Sequence, residues 1–133
     1  MDKKILNVTC AIIVKNQRVL VTQRGEQMSL PLKWEFPGGK LMDNETEEQC
    51  ILREIKEELN IEIEVKERLA NSFFDYGTTL VNLIPFICSH QSGRIELTEH
   101  KDAKWLNVED LLTLDWAAAD LPIVKQLLKT NYV

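Results

Sequence analysis

The stretch from Gly38 to Ile61 constrains this chain most. It joins a glycine pair to a capped helix with carboxylates gathered on one side. Thr46 is placed as an N-cap, and Gln49 three residues later completes a capping box. Asn60 stands where the helix would leave through the left-handed region, which Asn tolerates better than most residues. Between the caps the period is helical. At about 100° per residue, Ile51, Leu52, Ile55 and Leu59 share one face. Glu54, Glu57 and Glu58 share another, at i, i+3 and i+4. Gly38-Gly39, just before the helix, reads as a glycine-rich loop.

The acidic face is costly. Glu54 and Glu58 lie one turn apart, with Cβ atoms roughly 5–6 Å from each other. Like charges at ~5 Å repel by on the order of 3 kcal/mol at an effective dielectric near 20, less where water and salt screen them. Arg53 can relieve Glu57 at i+4, but nothing within the helix relieves Glu58. A divalent cation would relieve all three. Magnesium suits the role, being hard, oxygen-seeking and usually held by a few carboxylates plus substrate phosphates. Three Glu alone would be an ordinary solvated face, and Gly38-Gly39 alone an ordinary turn. The conjunction at fixed spacing is what carries information.

That spacing resembles the Nudix box: Gly39, five residues, Glu45, seven residues, then Arg53-Glu54-Ile55-Lys56-Glu57-Glu58-Leu59-Asn60-Ile61. The one departure is Asn60, where the family has Gly, and both residues accept positive φ. Trp34-Glu35-Phe36-Pro37-Gly38-Gly39-Lys40 resembles the MutT-type branch, which hydrolyses nucleoside triphosphates. The resemblance is strongest over residues 24–61 and extends over the whole chain. It implies an α/β Nudix fold, an α/β/α sandwich with a mixed central sheet.

A chain of 133 residues suits a single domain spanning residues 1–133. The net charge of −5 argues against holding DNA or RNA by their phosphates. A small phosphate ligand can still bind where a metal bridges two anions. Cys10, Cys50 and Cys88 are an odd set with no Cys-x-x-Cys, which suits a reducing cytoplasm better than disulfides or zinc. Lys3-Lys4 and the apolar run after it faintly mimic a signal peptide. Asn7 and Thr9 interrupt the run and no small-residue cleavage site follows, so a buried strand is expected. No stretch reaches transmembrane length.

In order along the chain, Ile5 to Val14 reads as a central strand, Lys15-Asn16-Gln17 as a turn and Arg18 to Gln23 as the returning strand. Gly25 to Lys33 is a loop, and Trp34-Glu35-Phe36 a short strand. Ile61 to Val65 alternates as a strand, continuing irregularly from Leu69 to Tyr76 before a turn at Gly77. Thr79 to Cys88 is an apolar strand in which Pro85 marks an edge or a bulge. Gln91-Ser92-Gly93 is a turn; Arg94 to Leu97 and Lys104 to Leu106 are strands; Val108 to Leu112 is a short helix. Leu121 to Lys129 has helical period, with Asp120 as cap and Pro122 in the first turn.

The resemblance assigns Glu54, Glu57 and Glu58 as metal ligands, with the backbone carbonyl of Gly38. The metal is Mg²⁺, with Mn²⁺ as a substitute. Glu54 would also help deprotonate the attacking water. Arg53 orients the carboxylates by pairing with Glu45. Lys40 is either a phosphate contact or a solvated lysine. Glu99 either approaches the metals from a second loop or is a surface residue. Arg24, Phe36, Tyr76 and Asp120 are the candidates for base recognition. Phe36 and Tyr76 would stack on the base or fill the core, and Asp120 would read the base or only cap the helix. His90 and His100 take no catalytic role. Cys50 points with the acidic face and is expected to stay a thiol beside its carboxylates.

The activity so implied is Mg²⁺-dependent cleavage of a nucleoside triphosphate to the monophosphate and pyrophosphate. The favoured substrate is 8-oxo-dGTP, in cleansing of the nucleotide pool, with (d)CTP as the alternative. A non-catalytic nucleotide-sensing Nudix module is the rival from another class. The chain would act as a monomer or homodimer in the cytoplasm, on a small molecule rather than a nucleic acid or membrane.

Overall fold

The β-branched run after Lys3 becomes the spine of the molecule. In the computed structural model, which describes residues 3–130, it forms β1 (Lys4–Lys15). There follow β2 (Arg18–Gln23), β3 (Trp34–Glu35), β4 (Gly38–Lys40), α1 (Glu47–Leu59) and β5 (Glu62–Arg68). The chain continues through β6 (Ser72–Asp75), β7 (Thr79–Ser92), β8 (Asp102–Leu106), a 3₁₀ turn (Val108–Thr113) and α2 (Leu121–Lys129). All eight strands belong to one mixed sheet. β1 and β7 run parallel along its centre, and the other pairings are antiparallel.

Because side chains alternate along a strand, β1 feeds two cores. Cys10 and Ile12 pack with Leu111, Ile123, Val124 and Leu127 on the α2 side. Ala11 and Ile13 pack with Ile51, Ile55 and Leu59 on the α1 side. This is the α/β/α sandwich that the resemblance implied. On α1, however, the buried stripe is Cys50, Ile51, Ile55 and Leu59, while Leu52 is 40% exposed. Cys50, not Leu52, occupies the inner face.

Gly38-Gly39 does not form the expected loop. β1 and β2 pair only near their hairpin, at Val14–Val19 and Lys15–Arg18. Where they part, residues 34–40 fill the gap. β3 pairs with β2, β4 pairs with β1, and the Pro37 carbonyl accepts the Ala11 N–H at 2.8 Å. Glycine is needed for this fit. A Cβ at position 38 would stand 2.0 Å from the Thr9 carbonyl oxygen. Gly38 thus permits a close strand contact rather than an unusual turn.

Three other expectations are corrected. Pro85 is not at an edge: β7 pairs with β1 on one side and with β5 and β6 on the other. Its place is opposite the break between β5 and β6, where its carbonyl accepts the Leu69 N–H at 2.9 Å. A residue's N–H and C=O point the same way in a strand, so the missing donor falls where the ladder is interrupted. Arg94 to Leu97 is not a strand, and Gln91-Ser92 belong to β7 rather than to a turn. The Glu96 and Thr98 N–H groups donate instead to the Leu59 and Glu58 carbonyls. These are orphan acceptors of the last helical turn, which every helix must satisfy somewhere. Asp120 precedes α2 as expected, but its side chain makes no capping hydrogen bond.

Candidate active site

The carboxylates are organised around Arg53. Its Nε and Nη2 donate to both oxygens of Glu45, at 3.0 and 2.8 Å. Nη1 donates to Glu54 at 2.7 Å and to Glu57 at 3.2 Å, and Nη2 also reaches the Lys40 carbonyl at 3.3 Å. The sequence-expected Arg53–Glu45 pair is therefore present, and it fastens α1 to the turn after β4. Arg53 hydrogen bonds, then the Met42 N–H, hold the Glu45 carboxyl down to about 2.

Glu58 has no such partner. Its Oε1 accepts the Gly38 N–H at 3.1 Å. Burial, then the charges of Glu35 and Glu54, push its carboxyl up to about 9, and Glu99 adds to the same effect. Glu54, by contrast, lies against Gly39. A Cβ there would stand 2.2 Å from the Glu54 Oε2. Among the described residues, no three His, Cys, Asp or Glu side chains already converge as a metal cage. Mg²⁺ does not require one, since it keeps several waters and is completed by phosphate oxygens. A group of hard oxygen donors on one helix face, one of them raised chiefly by burial, fits that ion.

From Glu58 a cleft of about 290 Å³ runs under β4 towards α2. Leu6, Val8, Val81 and Leu83 supply its apolar lining, and Arg24, Phe36, Lys40, Tyr76 and Asp120 also border it. The structure thus brings every candidate base-reading residue to one cavity with the acidic helix. Phe36 is buried and packs on Trp116, with centroids 4.9 Å apart, so its ring serves the core as well as the cleft wall. Tyr76 accepts the Ala119 N–H at 3.2 Å, which anchors the segment leading to Asp120. Asp120 is 5% exposed, and its Oδ2 accepts the Phe36 N–H at 2.9 Å. Burial and the Glu35 charge raise its carboxyl well above the usual range. Glu99 is exposed beside the loop that carries Gly25. Lys40 is exposed on β4.

Three functional candidates escaped the sequence reading. Glu35 accepts from Arg24 Nη1 at 2.7 Å and faces His100 Nε2 at 2.9 Å. It lines the same cleft as Glu58 and Asp120, and its charge raises both carboxyls. His100 was given no catalytic role, yet its side chain is wholly buried against Glu35. Their separation by 65 residues leaves no local period to betray the pair. Thr9, with 0% exposure, donates to the Gly39 carbonyl at 3.2 Å and contacts Cys50 Sγ at 3.2 Å.

Residues 3–127 match the family model described as NUDIX domain. A CTP pyrophosphohydrolase from Escherichia coli (strain K12) is 31% identical over 122 residues, covering 92% of this chain and 90% of that protein. An 8-oxo-dGTP diphosphatase from Proteus vulgaris is 38% identical over 102 residues, covering 76% and 89%. Among solved structures, the DNA mismatch repair protein MutT of methicillin-resistant Staphylococcus aureus 252 is 41% identical with a TM-score of 0.78, covering 96% and 98%. The MutT protein of Methanosarcina mazei Go1 has a TM-score of 0.89 at 22% identity, covering 100% and 99%, a likeness of fold. No helix among the described residues is long and apolar enough to cross a membrane. Box, fold and relatives agree, and the family generally uses a divalent metal: the chain belongs to the Nudix family, as a hydrolase of the MutT type.

Proposed function

We propose that residues 1–133 act as one catalytic domain that hydrolyses a nucleoside triphosphate, most readily 8-oxo-dGTP, to the monophosphate and pyrophosphate. The observation that carries this reading is the single cleft joining the Glu58 end of α1 to the buried Asp120. One end offers hard oxygen donors and the other offers a base-sized wall with a hydrogen-bonding group. Similarity to an 8-oxo-dGTP diphosphatase supports the substrate.

Glu54, Glu57, Glu58 and the Gly38 carbonyl would hold Mg²⁺, with Glu99 entering from the second loop. Mn²⁺ suits the same donors. When bound, the ion neutralises the polyphosphate charge and polarises the bond to be broken. The rest falls to the chain's own groups. Arg53 keeps Glu54 and Glu57 from splaying apart, and Glu45 keeps Arg53 in place. Glu54, held against Gly39, takes the proton of the attacking water. Lys40 and Arg24 supply cations at the cleft rim for phosphate and base. Asp120 has one oxygen committed to the Phe36 N–H. The other accepts an N–H from the base, or donates when the carboxyl carries its proton.

A second reading has a specific observation behind it. The N4 amino group of cytosine also donates, and a CTP pyrophosphohydrolase covers 92% of this chain. The test is a pyrophosphate-release assay over 8-oxo-dGTP, dGTP, CTP and dCTP with Mg²⁺ titrated, on the wild type and Glu57→Gln. Glu57 is exposed at the rim of the acidic face, so Gln should preserve the fold while lowering kcat by at least ~100-fold. Near-normal turnover by Glu57→Gln would overturn the metal-site assignment. A preference for CTP or dCTP would replace the substrate and keep the reaction.

A further inference from the structure

Residue 100 is a poor place for a histidine on packing grounds alone. Its side chain is wholly buried, and Nδ1 has no hydrogen-bond partner among the described residues. An apolar side chain of similar size would fill the space without burying an imidazole. The ring's polar link is Glu35, which accepts from Nε2 at 2.9 Å. A carboxylate only accepts, so Nε2 is the donor in this contact. The other Glu35 oxygen accepts from Arg24 Nη1 at 2.7 Å. With one donor on each oxygen, the plane of Glu35 is fixed from both sides.

Arg24 passes this order to a loop. Its Nε donates to the Ser29 carbonyl at 2.5 Å and its Nη2 to Ser29 Oγ at 2.9 Å. The loop needs such ties, because Leu30 and Leu32 are held at φ of 49° and 65°. Non-glycine residues persist there only where their surroundings over-determine them. Met28, Ser29 and Leu30 border the same cleft as Arg24. A guanidinium has five N–H groups, and these contacts use three, leaving two for a ligand. The His100 segment is itself fastened to the root of the loop. The Lys101 N–H donates to the Gln23 carbonyl at 2.9 Å, and Lys101 Nζ pairs with Glu26 at 2.8 Å.

We propose that His100 is a positioning residue which, through Glu35, aims Arg24 and the loop of residues 25–33 at the nucleotide in the cleft. This rests on the cleft being the nucleotide site, and it adds a residue that touches neither metal nor substrate. His100 acts on how well the nucleotide is held, not on the bond that breaks.

The experiment compares His100→Leu, which fills the space without a donor, with His100→Gln, whose amide can still donate to Glu35. Arg24→Met and the His100→Leu/Arg24→Met double variant complete the cycle. His100→Leu should raise KM for the preferred triphosphate roughly tenfold, the scale of one hydrogen bond to a charged group. Its kcat should stay within about threefold, and His100→Gln should recover most of the KM. The double variant should be no worse in KM than Arg24→Met alone, since both remove the same contact. Hydrogen exchange on the nucleotide-free protein should show the hydrogen-bonded amides of Met28, Leu32 and Lys33 exchanging faster in His100→Leu than in wild type or His100→Gln. Unchanged KM with only a lower Tm, KM effects that add in the double variant, or unchanged exchange in the loop would each overturn the proposal. If His100→Leu does not fold, His100→Met, which also fills the space without a donor, takes its place in the same cycle, with the same KM rise expected and additivity again decisive. A wild type that hydrolyses no triphosphate would sink the nucleotide-site reading instead, and the exchange comparison would still decide whether His100 orders the loop.

Discussion

The carboxylate of Glu54 occupies the space where residue 39 would carry a Cβ: an alanine there would stand 2.2 Å from Oε2. The neighbouring glycine faces backbone instead, with the Thr9 carbonyl oxygen 2.0 Å from its missing Cβ. Adjacent glycines therefore have different obligations. Gly39→Ala should push aside the end of a flexible side chain, costing at least ~10-fold in kcat with Tm lowered by only a few degrees. Gly38→Ala must displace β1 itself and should leave little folded protein. Thermal melts and kcat on the two variants check this. Equal loss of Tm in both would show that Gly39 is a packing glycine only.

Glu58 predicts a pH dependence with a definite sign. Its carboxyl is pushed up to about 9 in the fold, chiefly by burial. The unfolded chain loses this proton near the ordinary value, so above that pH the folded state binds the extra proton. Stability of the metal-free protein should then fall as pH rises from about 5 towards 9, by on the order of a few kcal/mol. In Glu58→Gln that slope should flatten while hydrolysis is lost. Urea melts at several pH values in the presence of a chelator measure it. An unchanged slope in Glu58→Gln would place the buried charge elsewhere.

Asn60 leaves α1 with φ 57° and ψ 36°. Asn60→Gly should change stability by no more than about 0.5 kcal/mol, having lost only an exposed contact to Glu96 at 3.3 Å. Asn60→Val should cost about 1–2 kcal/mol, because a β-branched residue is strained at positive φ. Equal melting temperatures for the two would deny the left-handed exit.

Cys50 should resist thiol reagents at neutral pH. Its thiol is pushed up to about 11, by burial first and by Glu45 only after that. The carboxylates expected to keep it a thiol thus come second to burial. Cys10 and Cys88 are buried as well, and burial raises both, Cys88 to about 12. All three should label slowly in the native state and rapidly in denaturant. Fast native labelling of Cys50 would mean that β4 opens away from α1.

Asp120→Ala should act twice. It leaves the buried Phe36 N–H without its acceptor, costing about 1–3 kcal/mol of stability, and it should flatten preference among triphosphates. Asp120→Asn can keep the Phe36 contact through its carbonyl while offering an N–H to the cleft, so it should shift the ratio of 8-oxo-dGTP to CTP turnover. The check is kcat/KM for four triphosphates on both variants. A uniform fall in all four would assign Asp120 to structure alone.

What the sequence disclosed was local. The Thr46–Gln49 capping box is present, and Asn60 takes the left-handed exit, because each depends on neighbours within one turn. β2 spans Arg18–Gln23, the returning strand expected after the Lys15-Asn16-Gln17 turn. The misreadings were long-range. Gly38–Lys40 is a strand only because β1 and β2 part to admit it. Arg94 to Leu97 lacks strand pairing because Glu96 answers the end of a helix that closed at Leu59. Period placed Leu52 inside, whereas β4 and Thr9 draw Cys50 there. At the site, Arg53 and Glu45 could be paired from the box. The Glu35–His100 contact could not, since it requires the sheet to be assembled first.

Both ends of the cleft hang from one short run of backbone. The Phe36 N–H holds Asp120 and the Gly38 N–H holds Glu58, with Pro37 between them fixing φ and offering no donor of its own. Two residues of chain span no more than about 7 Å. The separation between Asp120 and Glu58, which the proposed function makes a base contact and a metal ligand, is therefore set by a covalent ruler. If the cleft holds a nucleoside triphosphate as proposed, substitutions around it would alter which base is preferred, whereas an insertion or deletion between residues 36 and 38 would change how far from that base the polyphosphate is cut.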